Sequence, residues 1–375
     1  MINRLIFNTM KSRMGQGKVL LLFGPRQAGK TTLLKSLAAE QDSVWLNGDE
    51  SDVKVTFEKP SSARLKRLAG KAKVLILDEA QTIPNIGIGL KLLADEAPEI
   101  TVIASGSSAF ELADKLSEPL TGRKYEFRML PFSFEELSMD TSIMEEKRLL
   151  ESRLVFGAYP EVVNKPDQAV EILNLLTSSY LYKDVFQYGN VKKPQLLEKL
   201  LQALALQVGH EVSFMELSRL VGVDKETIER YIDLLEKAFV VFRLSGFSRN
   251  LRTELKKSKK IYFYDNGVRN AIIKNFNPLA LRNDVGALWE NHMMAERLKF
   301  NWYHQNLVNT WFWRTVNQQE IDYLEESGGK INAWEFKWSA KGKEKFPQSF
   351  LDTYSVGSQM VVSNENMEDF LLPPM

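Results

Sequence analysis

The stretch Gly24-Pro25-Arg26-Gln27-Ala28-Gly29-Lys30-Thr31 sets two glycines, a lysine and a hydroxyl at the spacing G-x-x-x-x-G-K-[ST]. That set suits a phosphate chain. Glycine backbone wraps an anion closely, and amide N–H groups at a helix start point toward it. Lys30 is expected to reach the β- and γ-phosphates, and the Thr31 hydroxyl to ligate Mg²⁺. Thr32, next in the chain, joins the binding set.

A second set follows. Val74-Leu75-Ile76-Leu77 ends in Asp78-Glu79, and a carboxylate at a strand tip can reach a magnesium beside such a loop. Asp78 is expected to hold Mg²⁺ through water and Glu79 to act as general base on the attacking water. Ile100-Thr101-Val102-Ile103-Ala104 ends in Ser105-Gly106-Ser107-Ser108. Ser105, or failing it Ser107, is placed to orient that water or touch the γ-phosphate, although a plain strand-to-helix cap explains the same serines. Arg123 precedes a further strand, Lys124–Leu130. It suits either neutralisation of charge on a transferred phosphoryl group or a surface ion pair.

A third set lies near the C-terminus. Glu290 falls in a helical run. Asp322 lies in Glu320-Ile321-Asp322-Tyr323-Leu324, and Glu335 and Lys337 lie two apart in Ala333-Trp334-Glu335-Phe336-Lys337-Trp338. On a strand that spacing puts them on one face. Asp322 and Glu335 would hold a divalent metal, Glu290 would complete its shell and Lys337 would handle a water against a phosphodiester. The competing reading is a strand edge with ordinary charges.

The surrounding elements place these residues. Val19-Leu20-Leu21-Leu22-Phe23 reads as a buried parallel strand leading into the glycine loop, and Lys30–Leu37 as the helix leaving it. Strands and helices alternate over 1–140, which implies β-α-β crossovers. Residues 141–193 read as a helical connector. Residues 194–283 read as a DNA-binding module: a helix over Gln195–Leu206, a Ser213-x-x-Glu216 helix start, the turn Val221-Gly222-Val223-Asp224, and a second helix to Lys237. Two strands of a wing follow, Phe239–Leu244 and Lys260–Tyr264, flanking Arg249, Arg252, Lys256, Lys257 and Lys259. This basic segment suits phosphate contacts. Against DNA stand Glu226, Glu229 and Asp233 on the second helix, which suit a protein–protein module instead. Residues 284–375 form the last section.

Composition bounds these readings. At 375 residues, two or three domains are expected. The 44% apolar and 26% charged residues are ordinary for a globular chain. A net charge of +1 supplies no whole-molecule attraction to nucleic acid or membrane, so any such partner must meet a local patch. The absence of cysteine excludes disulfides and thiolate chemistry and suits the cytoplasm. No apolar run approaches a bilayer span, and no membrane partner is expected.

The chain resembles the bacterial and archaeal AAA+-superfamily ATPases that carry a C-terminal domain of unknown function. The glycine loop, Leu77-Asp78-Glu79-Ala80-Gln81, Ser105-Gly106-Ser107-Ser108 and Pro131-Phe132-Ser133-Phe134 carry the likeness in the first half. Gly157-Ala158-Tyr159-Pro160, Tyr264-Asp265-Asn266-Gly267 and the Glu290/Asp322/Glu335/Lys337 set carry it in the second. The resemblance implies a five-stranded ATPase sheet, a winged-helix segment and a C-terminal α/β core similar to PD-(D/E)xK nucleases. It also implies subunit contacts near Arg123, hence a homo-oligomer. The expected activity is ATP hydrolysis with Mg²⁺, coupled to a DNA-directed half with nuclease chemistry. The alternative is a nucleotide-dependent switch that binds a protein partner through an inactive nuclease-like domain. His292 and Lys299 receive no role.

Overall fold

The computed structural model describes residues 2–107, 120–181, 193–248, 259–315, 317–339 and 346–373. Ser108, the 183–190 end of the connector and the basic residues Arg249, Arg252, Lys256 and Lys257 lie outside them. The chain divides into two compact units. One is built on Met1–Phe132; the other takes Ser133–Tyr182, Lys192–Glu236 and Val240–Met375.

The first unit holds a sheet of β1 (Val19–Phe23), β2 (Ser43–Asn47), β3 (Val74–Asp78), β4 (Thr101–Gly106) and β5 (Lys124–Arg128). Its order is β2-β3-β4-β1-β5, and every pairing is parallel. The sequences of β1 and β3 explain their place. VLLLF and VLILD are buried at every position, as strands covered on both faces must be. Because β4 lies between β1 and β3, three strand ends come side by side. Leu22 pairs with Ser105 and Leu77 with Ala104, so Asp78 and Ser105 stand at one edge next to the glycine loop.

The second unit holds β6 (Glu211–Val212), β7 (Val241–Gly246), β8 (Lys259–Phe263), β9 (Asn309–Arg314), β10 (Glu320–Ser327), β11 (Lys330–Phe336) and β12 (Val356–Val362). They form one sheet in the order β12-β11-β10-β9-β7-β8-β6. This sheet spans the expected division at 284. The seam is a parallel pairing of β7 with β9, Ser245 to Trp311 and Gly246 to Phe312, so strands from both sides share one ladder. Phe247, Trp313, Ile321, Leu324, Ile331, Ala333 and Phe350 form an apolar cluster across that seam.

The expected connector is also part of this unit. Asp265 is the reason. Its Oδ2 accepts from the Ala158 amide at 2.8 Å and its Oδ1 from the Val268 amide at 3.1 Å. Gly157 has φ +71°, and a Cβ there would lie 2.1 Å from Asp265 Oδ1. Only glycine lets the two chains approach this closely. Asn270 Nδ2 adds bonds to the carbonyls of Leu154 and Val155, at 3.1 and 2.8 Å. The unit starts at Ser133 rather than 141, because Ser133 and Glu136 form a capping box that opens the helix Phe134–Asp140.

Candidate nucleotide site and the C-terminal carboxylate cluster

The glycine loop joins β1 to the helix Lys30–Ala38, whose N-cap is Gly29. A Cβ on Gly24 would lie 1.9 Å from the Met129 carbonyl oxygen, so no other residue fits where the loop leaves the sheet beside β5. Lys30 is buried, and its Nζ donates to the carbonyls of Gly24 at 2.7 Å and Pro25 at 2.9 Å. The ammonium is thus held inside the curve of Pro25, Arg26, Gln27 and Ala28. Thr31 and Thr32 are exposed on the first helical turn.

Thr31 Oγ1 donates to Asp78 Oδ2 at 3.0 Å. Ser105 Oγ, fully buried, donates to Asp78 Oδ1, and the Glu79 amide reaches the same oxygen at 3.2 Å. A hydroxyl and a carboxylate in contact at a helix N-terminus form an oxygen donor set that suits Mg²⁺. Ser105 thereby helps to fix the carboxylate.

Glu79 adopts φ +51°, so the chain turns sharply as it leaves β3. Gln81 Nε2 donates to Glu79 Oε2 at 2.5 Å and to Ser107 Oγ at 3.3 Å. Gln81 lies within the Leu77-Asp78-Glu79-Ala80-Gln81 motif, whose residue types assign it no task. Its burial, at 1% exposed, is the signal that a bare motif lacks.

Arg123 precedes β5, and its carbonyl accepts from the Val19 amide at the start of β1. It therefore stands at the sheet edge opposite its own phosphate loop, half-exposed and paired with Asp95. Arg128, at the other end of β5 and in register with Phe23 just before Gly24, is the arginine on the loop side.

In the second unit, Glu290 comes from the helix Val285–Tyr303, Asp322 from β10 and Glu335 from β11. They converge as expected, with an addition. Lys260 of β8, 1% exposed, places Nζ at 2.9 Å from Glu290, 2.5 Å from Glu320 and 3.9 Å from Asp322. Tyr262 OH donates to Glu290 Oε1 at 2.6 Å. Asp322 Oδ2 accepts from the Phe336 amide at 2.8 Å, and Lys337 Nζ lies 3.4 Å from Glu335.

Burial pushes Glu290 up to about 6 against the pull of Lys260. Burial and the neighbouring Asp322 charge push Glu335 up to about 8. Burial alone would lower Lys260, but Glu290, Asp322 and Glu320 together raise it above the usual lysine range.

Among the described residues, no group of three or more His, Asp or Glu side chains is placed to hold a metal ion. Of the expected metal shell, Asp322 and Glu335 are in contact, while Glu290 pairs with Lys260. Glu290 faces an ammonium where a metal was expected. Lys260, the first residue of the strand expected after the basic segment, is enclosed by carboxylates.

His292 and Lys299 also find places. Lys299 Nζ donates to Glu296 Oε1 at 2.7 Å, and Glu296 Oε2 accepts from the Phe134 amide at 2.7 Å. His292, Glu296, Lys299, Gly157, Asp265 and Asn266 line one small cleft. Burial lowers His292 to about 4. These residues cross-tie the second unit.

Three family models match the chain: an AAA domain over residues 16–138, and two domains of unknown function, DUF8612 over 147–279 and DUF4143 over 285–371. An uncharacterized protein of Mycobacterium tuberculosis is 26% identical over 333 residues, covering 88% of this chain and 72% of its own. One of Haemophilus influenzae is 28% identical over 277 residues, covering 68% of this chain and 69% of its own. Among solved structures, the Walker-type ATPase of Pyrococcus abyssi aligns with TM-score 0.49 and 16% identity, covering 73% of this chain and 96% of that one. No helix among the described residues is long and apolar enough to cross a membrane. With the glycine loop, the parallel five-stranded sheet and the match over 16–138, the first unit is a P-loop ATPase domain of the AAA type.

Proposed function

We propose that this chain binds and hydrolyses Mg²⁺-ATP, and that the nucleotide cycle governs what its second unit binds. The observation that carries the reading is the contact of Thr31, Asp78 and Ser105 beside the phosphate loop. In this reading Lys30 turns from the loop carbonyls to the β- and γ-phosphates, and Thr31 and Asp78 hold Mg²⁺, which neutralises phosphate charge. Glu79 takes the proton of the attacking water. Titration calorimetry with Mg²⁺-ATP tests it. Lys30→Ala removes a charge-assisted contact and weakens binding roughly 10- to 100-fold. Glu79→Gln keeps binding and loses phosphate release by about 100-fold or more. Failure of the intact chain to bind ATP would sink the reading.

For the second unit we propose duplex DNA as the partner. The order helix Pro194–Leu206, β6, helices Phe214–Val221 and Lys225–Lys237, then the hairpin of β7 and β8 suits a winged helix. Arg243 of β7 binds both Asp233 and Glu236, which removes part of the acidic charge that spoke against DNA. Glu226 and Glu229 stay exposed. The test is the shift of a labelled duplex with and without Mg²⁺-ATP. No shift in either state favours the alternative, a switch that binds a protein.

A further inference from the structure

Metal-assisted cleavage needs several carboxylate oxygens converging on one divalent ion. In the second unit that convergence point holds an amine. We infer that Lys260 is the resident cation of the C-terminal cluster and takes the place of a divalent metal, so that the cluster is a charge-compensated junction and performs no metal-dependent cleavage.

The geometry carries this inference. Lys260 Nζ is within 2.9 Å of both Glu290 and Glu320, and 3.9 Å from Asp322. The acidic groups come from the long helix and from β10, the ammonium from β8. An ammonium has three donors and no acceptor, and these carboxylates surround it. Further donors crowd the cluster: Tyr262 OH donates to the same Glu290 oxygen as Lys260, and the Phe336 amide donates to Asp322 Oδ2. Arg314 of β9 lies 3.5 Å from Glu320, and Lys337 lies 3.4 Å from Glu335. Four carboxyl groups thus face three cations.

Lys260 cannot withdraw as an exposed lysine would. Its side chain is 1% exposed, and its ammonium lies 5.5 Å from the Phe312 ring centroid. A divalent ion drawn to the same oxygens would sit beside a trapped positive charge. The three elements that meet at Lys260 and its partners are two strands of one sheet and the helix against it, so the ion cluster fastens β8 to β10 and the helix. Loss of one partner from such a buried set strands the others.

The test is Mn²⁺ binding followed by electron paramagnetic resonance, on nucleotide-free full-length chain carrying Asp78→Ala to remove the first unit's metal ligand. The expected result is no bound Mn²⁺. Adding Lys260→Met frees Glu290, Glu320 and Asp322, and this protein is expected to bind Mn²⁺ and lose it again with Asp322→Ala. Mn²⁺ bound by the Lys260-containing protein and released by Asp322→Ala overturns the inference. So does Mn²⁺-dependent cleavage of linear, nicked or branched DNA that Asp322→Ala abolishes. A folded Lys260→Met protein that binds no Mn²⁺ also overturns it. If that variant does not fold, the Lys260-containing protein alone decides.

Discussion

Gln81 holds Glu79: the Gln81 amide donates to the Glu79 carboxylate at 2.5 Å while also reaching Ser107 at the end of β4. A general base works only from hydrogen-bond distance of its proton, so its aim matters as much as its charge. Gln81→Ala is expected to lower kcat for ATP about tenfold, the equivalent of one neutral hydrogen bond, with KM nearly unchanged. Steady-state phosphate release measures both. A rise in kcat would mean that Gln81 restrains Glu79 instead of aiming it.

Arg123 stands at the end of β5 away from its own loop and forms the ion pair with Asp95; a role in hydrolysis would therefore be exerted on the nucleotide of a neighbouring copy. Hydrolysis per chain is expected to rise with protein concentration, and Arg123→Ala is expected to flatten that rise without altering Mg²⁺-ATP affinity. Flat activity across a wide dilution series, with a monomer by light scattering, rejects assembly as the role.

Glu335 is raised to about 8, Glu290 to about 6, and His292 lowered to about 4. The two glutamates keep protons in the folded state that the unfolded chain gives up near its ordinary carboxylate range. Their contribution is present at low pH and lost as pH rises through the folded values. His292 acts with the opposite sign, since the unfolded imidazole takes up a proton first on acidification. Glu290 and His292 therefore oppose one another at acid pH, and between about pH 6.5 and 8 Glu335 sets the slope. Melting temperature is expected to fall over that window in the natural chain and to stay flatter in Glu335→Gln, as read by calorimetry across pH.

Gly157→Ala forces a methyl group onto Asp265 at a positive φ. It is expected to cost about 1–3 kcal/mol of stability, with early loss of the second unit's transition in thermal unfolding. Equal melting of variant and natural chain would show that the Asp265 tie yields easily.

What could be read from the chain depended on how local each feature is. The glycine loop and the Asp78-Glu79 tip are contiguous stretches bounded by apolar runs, so residue type and spacing located them. Asp322, Glu335 and Lys337 were legible because strand alternation sets their faces. Lys260 was not, since only the antiparallel pairing of β7 with β8 and the lie of the long helix bring it to Glu290. Asp265 was visible as a motif residue and silent in role, because its partner Gly157 lies over 100 positions away, and no periodicity links them. Strands β6 and β12 escaped notice for different reasons. β6 has two residues, and β12, Val356–Val362, is buried only at its last position, so neither carries a clear apolar pattern.

The pairing of β7 with β9 has a consequence for inheritance. The two domains of unknown function meet there in one hydrogen-bonded ladder, Ser245 with Trp311 and Gly246 with Phe312. A recombination event that carried off either segment would leave each fragment with an open strand edge and bare aromatic rings, a combination that drives chains to aggregate. The 147–279 and 285–371 segments are therefore expected to be inherited as one cassette, lost or gained together, even though each is recognisable by itself.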